Sequence, residues 1–189
     1  MKKAVTWVLV ALWLPFVLVT VGLLMVGHTV AMPMSSDRAL ITRTVASLSQ
    51  QPDSVVHFIP ADCSCTDGLV RHLAARSARP QLDELVVFVG QPDPHHLALG
   101  DKGYRTDTWS AETLFERTGL EAGPVIAIQQ AGTTRYLGGY FEFPAAVRSL
   151  DESLIDDVSH GDSPAALPLF GCAVSDALRR SVDPLGVTR

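Results

Sequence analysis

Between Lys3 and Asp37 there is no Asp, Glu, Lys or Arg, and this gap constrains the chain more than any motif in it. Residues 4–27 are almost wholly apolar. As a helix rising about 1.5 Å per residue they would extend roughly 36 Å, more than the ~30 Å of a hydrocarbon core. Pro15 falls inside the run, and membrane helices tolerate proline better than soluble ones do. Lys2 and Lys3 precede it, so the positive-inside rule leaves the N-terminus in the cytoplasm and everything after Asp37 outside. The rival reading is a cleaved signal peptide, for which Thr29-Val30-Ala31 offers a small-residue site. The apolar run is longer than the usual h-region of about 7–15 residues, which favours an anchor.

Beyond the anchor the chain carries all 20 acidic residues and 13 of the 15 basic ones, a net charge of −7. That balance argues against nucleic acid or an anionic lipid surface as its main partner. The length suits one domain with its own core. The sequence divides into an anchor at residues 1–31, a linker at 32–36, a folded domain at 37–159 and a tail at 160–189.

Residues 38–48 place Leu40, Ile41, Val45 and Leu48 at helical spacing, with Ser35 or Ser36 available as a cap. Residues 54–59 are β-rich and end at Pro60, after which Cys63-Ser64-Cys65 lies in a loop. Residues 66–78 read as a helix and 85–89 (LVVFV) as a strand buried on both faces. Residues 90–108, rich in Pro, Gly and Asp, read as a long connection. Ser110 caps a helix that Gly119 stops. Gly123-Pro124 then leads into VIAIQQ, a turn at Ala131-Gly132, and TTRYLGGY, the signature of a hairpin. Pro144 opens a last amphipathic helix with Val147, Leu150, Leu154, Ile155 and Val158 on one face. A Pro/Gly/Ser-rich stretch, 160–168, leads to Leu169-Phe170-Gly171-Cys172.

This order resembles the thioredoxin-like fold, in which a strand delivers a cysteine pair to the start of a helix and a cis-proline before the next strand lies against that pair. The resemblance covers about residues 38–158 and rests on Cys63, Cys65 and Pro124 in those places. It differs from the usual Cys-x-x-Cys in having Cys-Ser-Cys after Asp62. With the N-terminal anchor and the late Gly171-Cys172, the pattern is also similar to membrane-anchored proteobacterial thioredoxin-like proteins of unassigned function. It implies an α/β fold, a three-layer α/β/α domain behind one transmembrane helix. It also implies a periplasmic domain tethered to a bacterial inner membrane, with protein thiols or disulfides as partners. Pro124 would be cis, shield the disulfide and help hold the substrate backbone.

Three cysteines allow one internal pair with one thiol left over, and an extracytoplasmic compartment permits disulfides. A thiol at a helix N-terminus feels the positive end of the helix dipole, which favours thiolate, whereas Asp62 and Asp67 oppose it. The expectation is a Cys63–Cys65 pair engaged in thiol–disulfide exchange, with Cys63 as the exposed attacking cysteine and Cys65 or Cys172 resolving. Two alternatives stand beside it. A bridge from the pair to Cys172 would only pin the tail, leaving a non-catalytic interaction domain. Or the cysteines would bind copper or zinc with help from His72, His95 or His96, none of which has a sharp ligand spacing. No nucleophile elbow, phosphate loop or dinucleotide fingerprint is present.

Overall fold

The computed structural model describes residues 2–29, 31–35, 37–63, 66–144 and 148–182. The apolar N-terminal run forms helix α1 (Lys2–Thr29), with Pro15 inside it. Side chains are described on α1 at Trp7 and positions 9–22, and the large apolar ones, such as Trp7, Trp13 and Phe16, are exposed. Among the described residues no helix is long and apolar enough to cross a membrane.

Met32 is not part of a free linker. It is buried, and its N–H donates to the Leu169 carbonyl at 2.7 Å, so the start of the domain is tied to the tail. Helix α2 (Arg38–Leu48) is capped by Asp37, whose carboxylate accepts from Leu40 N–H at 2.8 Å, in place of the expected serine. It buries Ile41 and Val45 completely. Each such burial is worth roughly 1.5–3 kcal/mol relative to exposure.

Then follow β1 (Ser54–Pro60), α3 (Thr66–Arg76), β2 (Asp83–Val89), the short α4 (Pro94–Leu97) with a 3-10 turn after it, and β3 (Arg105–Trp109). Next come α5 (Ala111–Thr118), the two-residue β4 (Ala122–Gly123), and the hairpin β5 (Val125–Gln130) and β6 (Thr133–Gly138). The chain ends with α6 (Asp151–Ser159), the two-residue β7 (Cys172–Ala173) and α7 (Asp176–Val182).

Five strands form one mixed sheet in the order β3-β2-β1-β5-β6. β1 pairs parallel with β2 and antiparallel with β5, and β2 pairs parallel with β3. The central strands are buried along their length, as continuous apolar runs require. Strand alternation splits the core in two. Val56, Phe58, Leu85, Val87 and Val125 pack with α2, α5 and the tail, while Val55, Ile59, Val86, Phe88 and Ile126 pack with α3 and α6.

Two expectations are corrected here. The stretch read as connection, 90–108, runs at its end into an edge strand, Arg105–Trp109, whose Thr106, Asp107 and Thr108 are exposed. The last long helix starts at Asp151, not at Pro144. Leu150 N–H donates to the Tyr140 carbonyl at 3.0 Å, which turns the chain into α6 only there. Val147 lies outside the described residues. The turn at Ala131-Gly132 has φ of 50° and 72°, so both central residues are left-handed as a tight hairpin demands.

Candidate functional site

β1 ends on Pro60, and the chain turns through Ala61 and Asp62 to Cys63, which is 4% exposed. The Cys63 carbonyl accepts the Thr66 N–H at 2.9 Å, so this cysteine belongs to the turn that starts α3. The Thr66 hydroxyl is buried there with no partner among the described residues.

On the other side, β4 leads into a cis Gly123–Pro124 peptide bond, as the resemblance implied. Gly123 packs so closely on the end of β1 that a Cβ there would meet Pro60 Cδ at 2.7 Å. β7 pairs antiparallel with β4, with Cys172 opposite Gly123 and Ala173 opposite Ala122. Gly171 lies against the same bond. A Cβ on it would clash with the Gly123 carbonyl oxygen and sit 2.6 Å from Pro124 Cδ. Only a residue without a side chain fits that position.

This pairing brings Cys172 to Cys63, and the two form a disulfide with Cα atoms 6.2 Å apart, across 109 residues of sequence. That separation is within the usual range for a disulfide. The expected Cys63–Cys65 pair is therefore corrected. The tail strand carries its cysteine to Cys63 along a backbone ladder, a long-range placement that closeness in sequence does not reveal. Cys63 is also not the exposed member. It is buried under the tail, and Cys172 is partly open. Cys65 lies outside the described residues.

The tail is held well. Val174 and Ser175 N–H groups donate to the Glu121 carbonyl at 2.6 and 3.2 Å, and Ser175 Oγ donates to Glu121 Oε1 at 2.7 Å. Leu169, Ala173, Val174 and Leu178 join the core beside α2 and α5. Leu167 N–H donates to Tyr136 Oη at 3.2 Å. Beside this junction is a cavity of about 520 Å³, whose walls include Asp62, Glu112, Phe115, Glu121, Asp176 and Arg179.

The opposite face of the sheet holds a buried polar network that links α3 to β1, β2 and α6. His57 Nδ1 lies 2.6 Å from Tyr140 Oη and its Nε2 lies 3.3 Å from Glu84 Oε2. Tyr140 is fully buried and its phenol pKa is raised, so it donates to Nδ1 while Nε2–H donates to the carboxylate. Arg76 donates to both Glu84 oxygens, at 3.1 and 2.7 Å, and to Asp151 Oδ2 at 2.8 Å. Burial pushes the Glu84 carboxyl up. Hydrogen bonds from His57 and Arg76 outweigh that and hold it at about 2. Asp151 is likewise lowered, burial being overcome by the Ser149 hydroxyl, Arg76 and His72.

His72, a candidate metal ligand, is bound to Asp151 Oδ1 at 2.8 Å. His95 and His96 fall in α4. Among the described residues no group of three or more His, Cys, Asp or Glu is arranged to hold a metal ion. Sequence reasoning missed the His57–Glu84–Arg76–Asp151 network. Its one visible signal was a polar residue within otherwise apolar strands, at His57 in SVVHFIP and Glu84 in DELVVFV.

No family model matches the chain, and no curated protein matches it. Among solved structures it is similar to a hypothetical protein from Sinorhizobium meliloti 1021, with 19% identity and a TM-score of 0.50, over 69% of this chain and 82% of that one. It is also similar to an uncharacterized conserved protein from Geobacillus kaustophilus, with 16% identity and a TM-score of 0.48, over 66% of this chain and 77% of that one. The first likeness is one of fold alone.

Proposed function

We propose that this chain is a membrane-tethered, thioredoxin-like thiol–disulfide exchange protein whose exchanged bond is Cys63–Cys172. The observation that carries the reading is the disulfide itself, set between the start of α3 and a strand beside a cis Gly123–Pro124 bond. At that junction the bond joins a buried cysteine, Cys63, to a half-buried one, Cys172, so an external thiol has its better access at Cys172.

In the reduced form the tail strand, no longer bonded to Cys63, leaves its two-pair ladder on β4, and the uncovered Cys63 thiolate attacks a partner disulfide. One partner sulfur bonds to Cys63 and the other leaves as thiolate. The Cys172 thiolate then attacks Cys63, the Cys63–Cys172 bond re-forms, and the partner's second sulfur leaves. The partner disulfide is reduced to two thiols and the Cys63, Cys172 pair is oxidised. The cycle restarts when an external thiolate attacks Cys172 and releases Cys63, and a second external thiolate then attacks that mixed disulfide, freeing Cys172 and carrying the bond away as an external disulfide. The start of α3, where the Thr66 N–H donates to the Cys63 carbonyl, favours Cys63 as thiolate and as leaving group. Cys65 is proposed as a second resolving thiol. The domain works in the periplasm of a bacterium, held at the inner membrane by α1. Support for the tether is the charge-free run after Lys2 and Lys3 and the exposed Trp7, Trp13 and Phe16 on that helix.

The second reading is a structural staple, and a specific observation favours it: Leu169, Val174 and Leu178 fix the tail in the core on either side of Cys172. Incubating the reduced protein with a disulfide peptide separates the two. Exchange produces a mixed disulfide on Cys63 and then the Cys63–Cys172 bond. A staple closes on the same oxidant but then stays closed against excess reduced peptide, whereas an exchanging bond re-opens and returns the peptide disulfide.

A further inference from the structure

Resting on the exchange reading, we infer that the β4 edge beside Cys63 is the seat for the partner polypeptide, and that it selects an extended segment with glycine immediately before the reacting cysteine. The tail occupies this seat in the oxidised protein as an internal copy of such a segment.

The geometry of the occupant defines what fits. Cys172–Ala173 run antiparallel to Ala122–Gly123, with Cys172 opposite Gly123 and its sulfur on Cys63. The backbone ladder is short, two residue pairs, and main-chain pairing of this kind recognises any extended chain. Selectivity comes from the side-chain positions. The residue before the cysteine meets the Gly123 carbonyl and Pro124 Cδ, with no room for a Cβ. The residue after it, Ala173, is 8% exposed, and the next, Val174, is 5% exposed, and both join the apolar core, so the seat continues as buried apolar positions. A partner segment of the form Gly-Cys followed by a small and then a branched apolar residue reproduces every one of these contacts. Because Cys172 returns to the same seat to resolve the mixed disulfide, the tail strand displaces the partner strand as it takes over its bond. Product release is then built into resolution.

The steps balance as for exchange. The Cys63 thiolate forms a bond to the partner's glycine-preceded cysteine, and the sulfur formerly bonded to that cysteine leaves as thiolate. Cys172 thiolate then takes the partner's place on Cys63.

The test uses the full chain carrying Cys65→Ser and Cys172→Ser, so that Cys63 is the remaining thiol. The probe is a synthetic peptide Leu-Phe-Gly-Cys-Ala-Val as its mixed disulfide with glutathione. Its control is the same peptide with alanine before the cysteine. Transfer of peptide to Cys63 is followed by mass. The Gly-Cys peptide should transfer at least tenfold faster than the Ala-Cys peptide. Adding Gly171→Ala to the protein, which unseats its own tail, should raise the Gly-Cys rate further. Equal rates for the two peptides would overturn the seat and leave exchange standing. Transfer of neither peptide, with Cys63 unreactive also to oxidised glutathione, would overturn both.

Discussion

Cys172 lies opposite Gly123 in a two-residue antiparallel ladder, and this pairing holds its sulfur on Cys63. The exchange proposed for the chain depends on that register. Gly171 keeps it, because no larger residue fits between the tail and the Gly123–Pro124 bond.

The bond also has a consequence for stability. It spans 109 residues, and chain-entropy reasoning gives a closure of that length about 4–5 kcal/mol. Reduction, or Cys172→Ser, should therefore lower the unfolding temperature markedly. Thermal melts with and without reductant check this. An unchanged melting temperature would mean that the tail is held by its apolar contacts alone.

Arg76 is the hub of the buried network, contacting Glu84 and Asp151 with only 8% of its side chain exposed. Removing one partner of such a network strands the other charges, at a cost of about 3–5 kcal/mol. Arg76→Ala should destabilise the domain by that order in a denaturant titration. A loss below about 1 kcal/mol would show that the network is hydrated.

Acid should act through the same groups. Glu84 is held at about 2, below its ordinary 4.5, by His57 and Arg76, with the Arg79 backbone N–H also donating to it at 2.7 Å. Asp151, facing Arg76, His72 and Ser149, is also lowered. A carboxyl whose folded pKa is depressed contributes stability that is present above its unfolded pKa and is lost as pH falls through the folded one. The Glu84 contribution, about 3 kcal/mol from the size of its shift, should thus disappear between roughly pH 4.5 and pH 2. Melting temperature against pH should fall across that window, and Glu84→Gln should flatten the fall.

The proposed tether makes a separate prediction. The full chain should sediment with membranes and resist salt washing, and a reporter fused after Arg189 should be active only outside the cytoplasm. Release by salt with a new N-terminus near Met32 would indicate cleavage instead.

Much of the architecture was legible because it depends on local pattern. The hairpin at Ala131-Gly132, the cap at Ser110 and the stop at Gly119 all follow from residues adjacent in sequence. Gly123-Pro124 was placed by its position before a strand. The strand Arg105–Trp109 was not legible, since an edge strand with three exposed polar residues has no apolar run to announce it. The start of α6 was misread because Pro144 is a good first helical residue, whereas the Tyr140–Leu150 hydrogen bond fixes the turn by a contact ten residues apart. The cysteine pairing and the network of His57, Arg76, Glu84 and Asp151 unite residues far apart in the chain, and no spacing rule connects them.

The central claim is that Cys63–Cys172 is an exchanging bond, and its equilibrium with glutathione tests that most directly. The full chain is equilibrated in buffers of graded glutathione redox ratio, quenched by alkylation and mapped by mass at Cys63, Cys65 and Cys172. An exchanging pair should titrate in the range of thiol–disulfide exchange proteins, between roughly −270 and −120 mV, with Cys63 and Cys172 changing together. A Cys63–Cys172 bond that stays closed in every such buffer, with a potential below about −300 mV, would mark a structural staple and contradict the account.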